Sequence, residues 1–257
     1  MLAPWLGPAP ADAGRGYLVV EVHELDPTDR LGIATEVIRD AYFDLEYLEG
    51  ISARYGWRGV ESVLKTRDKA HIQIRRGDFG EAIAVRVLRE FGGYEVPVEK
   101  LRYKITAGQS LPATDCIAIR AGNDGSLVEV CLVESKLRTG KDPGVASSAY
   151  RQLTDDASNL IPDALLFTSR QLRASNHALS SAFDDYMFSR TTNVERLTIM
   201  ICQEATTWDP DVLDELDGES PPPTLTIYPQ LIADLAELCT AVFSAFGESV
   251  EVLDDDE

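Results

Sequence analysis

The sequence predicts an α/β fold: a mixed central sheet flanked by helices, with additions at its N- and C-terminal ends. Three observations support this. Through the middle of the chain the predicted elements run helix, strand, hairpin, helix, strand, helix, strand, an order that packs as a sheet with helices on its faces. The 257 residues, 44% of them hydrophobic, suffice for one large core. No run of about 18 apolar residues breaks the pattern, so no transmembrane helix is expected.

Taken in order, "MLAPWLGPAPADAGRG" (1–16) has no basic start and no continuous apolar stretch. It reads as a flexible lead-in and not as a signal peptide. Within an N-terminal α/β region (17–76), "YLVVEVHEL" (17–25) suggests a strand. "TEVIRDAYFDLEYL" (35–48) suggests a helix, and 59–71 a second one. The core is placed at 77–208. It opens with "GDFGEAIAVRVLREFGG", a helix that Asp78 can cap, that Ile83, Val87 and Leu88 can anchor, and that Gly92-Gly93 ends. "YEVPVEKLRYKI" reads as extended, and 113–137 as a hairpin around Asn-Asp-Gly. "VASSAYRQLTDDASNL" is a helix, "DALLFTSR" a strand, 173–188 a helix and "RLTIMICQE" a strand. Residues 209–224, "DPDVLDELDGESPPPT", read as an acidic Pro-rich linker. Within a C-terminal helical region (225–250), Leu231, Leu235, Leu238, Val242 and Phe246 share one helical face, suited to packing on the domain or docking a partner. An acidic tail (251–257) closes the chain.

The net charge of -19 argues against a protein that coats nucleic acid unaided. Yet residues 54–104 hold 12 of the 24 Lys and Arg against 7 Asp and Glu. That segment, with "KTRDKAHIQIRR", suits either a local phosphate-binding face or an ordinary solvated surface. Cys116, Cys131, Cys202 and Cys239 form no C-x-x-C pair and sit in apolar surroundings, as buried free thiols of a cytoplasmic protein would. The three histidines lack metal-ligand spacing, which argues against zinc. G-x-S-x-G, P-loop and G-x-G-x-x-G motifs are absent.

The chemistry concentrates in the hairpin. A two-residue turn at Asp124-Gly125 pairs Asn123 with Ser126, which sets Asp115 directly opposite Glu134. Alternation then puts Asp115, Ile117 and Ile119 on one face with Val130, Leu132, Glu134 and Lys136. Opposed Cβ atoms lie about 5 Å apart, a separation at which two carboxylates can share a divalent cation. Two carboxylates on a half-buried face otherwise repel until one takes a proton. The alternative is an Asp-Lys-Glu ion-pair cluster that fastens a strand end.

"TDCIAI", a spacer and "LVESKLR" resemble the D…E-x-K core of the PD-(D/E)XK nuclease superfamily, with 19 residues from Asp115 to Glu134. Thr114 stands where the motif often has Pro, with Pro112 two residues earlier. The resemblance covers roughly 77–170 and implies a restriction-endonuclease-like core. It implies Mg²⁺, or Mn²⁺ in its place, on Asp115, Glu134 and the Ser135 carbonyl. It further implies catalytic roles for Lys136 and for Gln152 in "AYRQL", and an acidic contribution from Glu81. Glu81 has a competing explanation, because Asp78-x-x-Glu81 has the spacing of a capping box. Arg75, Arg76, Arg138 and Lys141 are candidates for DNA contact, Arg75 and Arg76 from a position just before a helix N-terminus. More narrowly, "RRGDFGE…LRYKITAGQSLPATDCIAI…LVESKLR" resembles HamA, the nuclease family of Hachiman anti-phage defence. That likeness implies a DNA nuclease restrained by a superfamily 2 helicase partner, HamB. The rival readings are a catalytically silent DNA-binding or regulatory module and a structural adaptor.

Overall fold

The computed structural model describes residues 1–65, 71–104, 106, 109, 114–157, 163–189 and 194–248. In chain order its elements are β1 (Leu6–Pro8), β2 (Leu18–Val19), β3 (Val22–Glu24), α1 (Arg30–Tyr42), α2 (Leu45–Lys65), α3 (Ile72–Glu90), β4 (Cys116–Ala121) and β5 (Leu127–Arg138). There follow α4 (Val145–Ala157), α5 (Asp163–Ala174), α6 (Ser180–Ser189), β6 (Val194–Glu204), α7 (Asp214–Asp217), β7 (Leu225–Ile232) and α8 (Leu235–Glu248). The strands form one mixed sheet in the order β1-β3-β7-β6-β5-β4, and β2 also pairs with β7. Its centre, β3-β7-β6-β5, is parallel, while the hairpin partner β4 and the outermost β1 run antiparallel to their neighbours.

Helices cover both faces. Period-2 alternation sends Ile117, Ile119, Val130, Leu132, Ile199 and Ile201 into one core with residues of α4, α5 and α6. The intervening Cys116, Ala118, Cys131, Val133, Met200 and Cys202 enter the other core with α1, α3 and α8. This explains the long apolar runs of β5 and β6, since parallel strands covered on both faces have no solvent side. All four cysteines are free and buried, as expected. Among the described residues no helix is long and apolar enough to cross a membrane.

Several boundaries differ from expectation, each for a physical reason. The segment expected to be a flexible lead-in is anchored. Leu2, Trp5 and Leu6 are fully buried, the Trp5 indole donates to Glu24 at 2.7 Å, and β1 pairs with β3. "DALLFTSR" is the start of α5 and not a strand, because Ala164, Leu165, Thr168, Ser169 and Leu172 make a helical stripe of buried positions. The expected linker 209–224 carries a 3₁₀ turn and α7, and it buries Val212, Leu213 and Leu216 in the α4-side core. The expected C-terminal helical region begins with β7, a strand in the middle of the sheet. Pro229 inside that run argues against a strand in sequence, yet it falls where pairing on one side of β7 passes from β2 to β3. The helix that follows packs on its own domain, burying Leu235, Leu238, Cys239, Val242 and Phe243.

In the N-terminal region the expected helices at 35–48 and 59–71 are α1 and α2. Phe43 ends the first in extended backbone, and Gly56, at φ 67°, kinks the second. Residues 66–70 and the acidic tail 251–257 lie outside the described residues. "EKLRYKI" is not wholly extended: Lys100–Tyr103 form a 3₁₀ turn.

The hairpin reaches its expected register by an unexpected route. Gly122 and Ser126 pair, Gly125 donates to Gly122 at 3.0 Å, and Gly125 sits at φ 80°. That is a three-residue loop, one longer than expected. A bulge between Arg120 and Ala121 and their partners then shifts the ladder back. From Arg120 opposite Glu129 to Cys116 opposite Val133 the pairing is as predicted, and its continuation sets Asp115 opposite Glu134.

Candidate active site

Three elements converge at the open end of the hairpin: the residue before β4, the C-terminal half of β5, and α3. Gly80 permits the close approach of α3. A Cβ there would lie 3.3 Å from both the Leu137 Cβ and the Ser135 Oγ. This packing brings Glu81, the next residue, to a cavity of about 270 Å³ that it lines with Asp115, Ser135, Asp78, Lys100 and Lys104.

Asp115 is held by the Ser135 N–H, which donates to its Oδ2 at 2.7 Å. Glu134 is 1% exposed. Its Oε1 accepts from Lys136 Nζ at 2.6 Å, and the same Nζ donates to Gln152 Oε1 on α4 at 2.8 Å. The second oxygen of Glu134, Oε2, is buried without a hydrogen-bond partner, as is the Ser135 Oγ. The fold therefore brings Asp115, Glu134, Ser135, Lys136, Gln152 and Glu81 to one place.

The electrostatics are those of carboxylates forced together out of water. Burial, and then the charge of Asp115, push the Glu134 carboxyl up to about 7. Burial also raises Asp115 and, more strongly, Glu81, with the Asp115 charge adding to the effect on Glu81. Lys100 opposes the shift at all three, and it is fixed by a 2.9 Å hydrogen bond to the Thr114 carbonyl. A bound cation would relieve this mutual repulsion.

The residues fit such a cation, though not as a closed cage. Among the described residues no group of three or more His, Cys, Asp or Glu is placed to hold a metal ion unaided. Magnesium does not need one, since it commonly takes one or two carboxylates and completes its shell with water and substrate phosphate. The unpartnered Glu134 Oε2 beside Asp115 is the donor that such a shell lacks.

Glu81 is not a capping residue. The helix begins six residues before Asp78, at Ile72, with His71 as its cap: the His71 ring accepts from the Gln73 N–H at 3.3 Å. Asp78 is instead a buried brace inside α3, ion-paired with Lys104 and accepting from the Tyr42 hydroxyl at 2.5 Å. Two outcomes follow. Asp78→Asn should lower stability by about 1–3 kcal/mol, measured by denaturant unfolding, because it strips Lys104 of its buried counter-ion. Glu81→Gln should leave the unfolding midpoint unchanged or higher, because it removes a carboxylate that burial and the Asp115 charge oppose, and if the cluster holds a metal its affinity for Mn²⁺ should fall about 10–100-fold.

The candidate DNA-contacting cations are distributed unevenly. Arg75 and Arg76 lie within α3 and not before it, so neither is at the helix N-terminus. Arg75 stacks over the Phe243 ring of α8, 5.5 Å from its centroid. Arg76, Arg138 and Lys141 line a second cavity of about 460 Å³. There Arg138 pairs with Asp142 at 2.5 Å and Lys141 with Asp209 at 2.8 Å. Sequence reasoning missed Lys100 and Lys104, hidden in a stretch that reads as extended. Their signal was membership of the basic segment 54–104.

A family model described as HamA matches residues 34–228, more than half of the chain and the whole of this site. No curated protein matches.

Proposed function

The chain belongs to the HamA family, and from that premise we propose that it is a metal-dependent nuclease that hydrolyses DNA phosphodiester bonds. We take it to be the effector subunit of a Hachiman anti-phage defence complex, regulated by a superfamily 2 helicase partner. One observation carries the reading: a buried glutamate with one oxygen on a lysine and the other unpartnered, beside a second carboxylate. A purely structural ion pair has no use for the second oxygen.

In this reading Asp115, Glu134 and the Ser135 carbonyl hold Mg²⁺, and Glu81 serves a second ion or its waters. Such an ion, when bound, would supply Lewis-acid chemistry to a phosphate oxygen and to a water. The chain's own residues do the rest. The Ser135 N–H fixes the Asp115 carboxylate, so its orientation costs nothing when substrate arrives. Lys136, tethered between Glu134 and Gln152, presents positive charge where negative charge grows on the phosphate. Gln152 limits how far the ammonium can swing.

A second reading also rests on an observation. The 2.6 Å Lys136–Glu134 pair would equally fasten a strand end in a catalytically silent module or adaptor. Incubating plasmid and single-stranded DNA with the protein, alone and with its helicase partner, in Mg²⁺, Mn²⁺ or EDTA separates the two. Cleavage in either metal and none in EDTA supports the nuclease. Intact DNA under every condition, partner included, supports the silent module.

A further inference from the structure

The two cavities described above meet over α3. Both are lined by Gln73, Gly77 and Ser135, so Gly77 is the saddle between the cation-lined cavity and the carboxylate-lined one. Gly77 stands in the body of α3, where glycine is a poor choice, and it lacks the positive φ that would demand one. Nor does the protein's own packing require it. A Cβ at Gly77 would meet nothing within 4 Å, whereas one at Gly80, a turn later, would meet Leu137 and Ser135. The bare backbone at residue 77 therefore leaves room for something other than this chain. The same walls hold two further groups without partners: the Arg76 Nε and the Ser135 Oγ, both buried and unbonded.

We propose that a nucleic-acid strand crosses α3 at Gly77, with Gln73 beside it as a polar contact. This path rests on the phosphodiesterase reading of the site. One phosphate lies among Arg76, Arg138 and Lys141, and the scissile phosphate lies at the carboxylate end of the saddle, with Asp115 and Glu81 on one side and Lys136, which lines the cation cavity, on the other. Gly77 is thus a positioning residue, acting through the space it leaves. Cleavage in the carboxylate cavity then requires a chain long enough to reach the cation cavity, so the substrate is a polymer and not a mononucleotide ester.

The test uses the full chain with Gly77→Ala and Gly77→Leu. Gly77→Ala controls for folding, and its melting temperature should rise by roughly 2–4 °C. Gly77→Leu should melt no lower than wild type. Its affinity for a fluorescent single-stranded DNA oligonucleotide, read by anisotropy in EDTA, should fall at least tenfold. Equal oligonucleotide affinity for wild type and Gly77→Leu, or no binding by wild type, overturns the path. Wild-type protein that binds the oligonucleotide but never cleaves it in Mg²⁺ or Mn²⁺, its partner included, counts against the phosphodiesterase reading on which the path rests.

Discussion

Lys136→Ala is expected to lower DNA cleavage by about 10²–10³-fold, the usual loss when one charge-stabilising group is removed from a transition state. The fold should persist. Although Lys136 pairs with a buried partner, Glu134 can neutralise itself by taking up a proton, because burial already pushes its carboxyl up to about 7. Lys136 is one of the influences holding that value down. Its removal should therefore also move the pH profile. Cleavage by wild type should rise as pH increases through about 7, where Glu134 gives up its proton. In the variant the residual rise should come at higher pH. Single-turnover rates across pH 5–9 for the two proteins read both effects. Unchanged rate and unchanged profile would remove Lys136 from the site.

Glu134→Gln should reduce cleavage to background while making the metal-free protein more stable above neutral pH. The sign follows from the direction of the shift. The folded state binds the Glu134 proton more tightly than the unfolded chain does, at about 7 against an ordinary glutamate near 4.5. Wild-type stability therefore falls as pH rises from about 4.5 to about 7 and then levels off. Glutamine keeps the shape and an acceptor for Lys136 but has no proton to lose. The variant should exceed wild type by about 1–3 kcal/mol at pH 8 in EDTA, and the difference should vanish by pH 4. Urea unfolding at the two pH values measures it. A loss of stability at pH 8 would mean that the ionised Glu134 is a net brace for the strand.

The hairpin shows why a site can be legible when its scaffold is not. The opposition of Asp115 and Glu134 followed from strand period and a short turn, and the ladder observed has that register. It arises because a longer loop and a bulge offset one another, which local turn chemistry does not reveal. Glu81 was ambiguous in sequence because Asp78 and Glu81 have the spacing of a cap and its partner. Tertiary structure removes the cap: α3 extends back to Ile72, and Asp78 is spent on Lys104 and Tyr42. The strand β7 was hidden by Pro229, and α5 by an apolar run too short to tell strand from helix. Leu2 and Trp5 looked like part of a loose lead-in, because nothing local says which surface will bury an isolated aromatic. Alternation and spacing thus carried the placement of the carboxylates. Elements that depend on distant partners stayed out of reach.

In the proposed function the buried carboxylates ionise in order to bind a metal. Calorimetric titration of the full chain with Mn²⁺ at pH 7, in two buffers of different ionisation enthalpy, tests it most directly. Asp115, Glu81 and Glu134 hold their protons to higher pH than usual, so binding should release protons and the observed heat should differ between buffers. Glu134→Gln should bind far more weakly. No heat of binding in wild type up to millimolar Mn²⁺, or identical binding by Glu134→Gln, would contradict the metal site and leave the cluster as a fastening for the strand end.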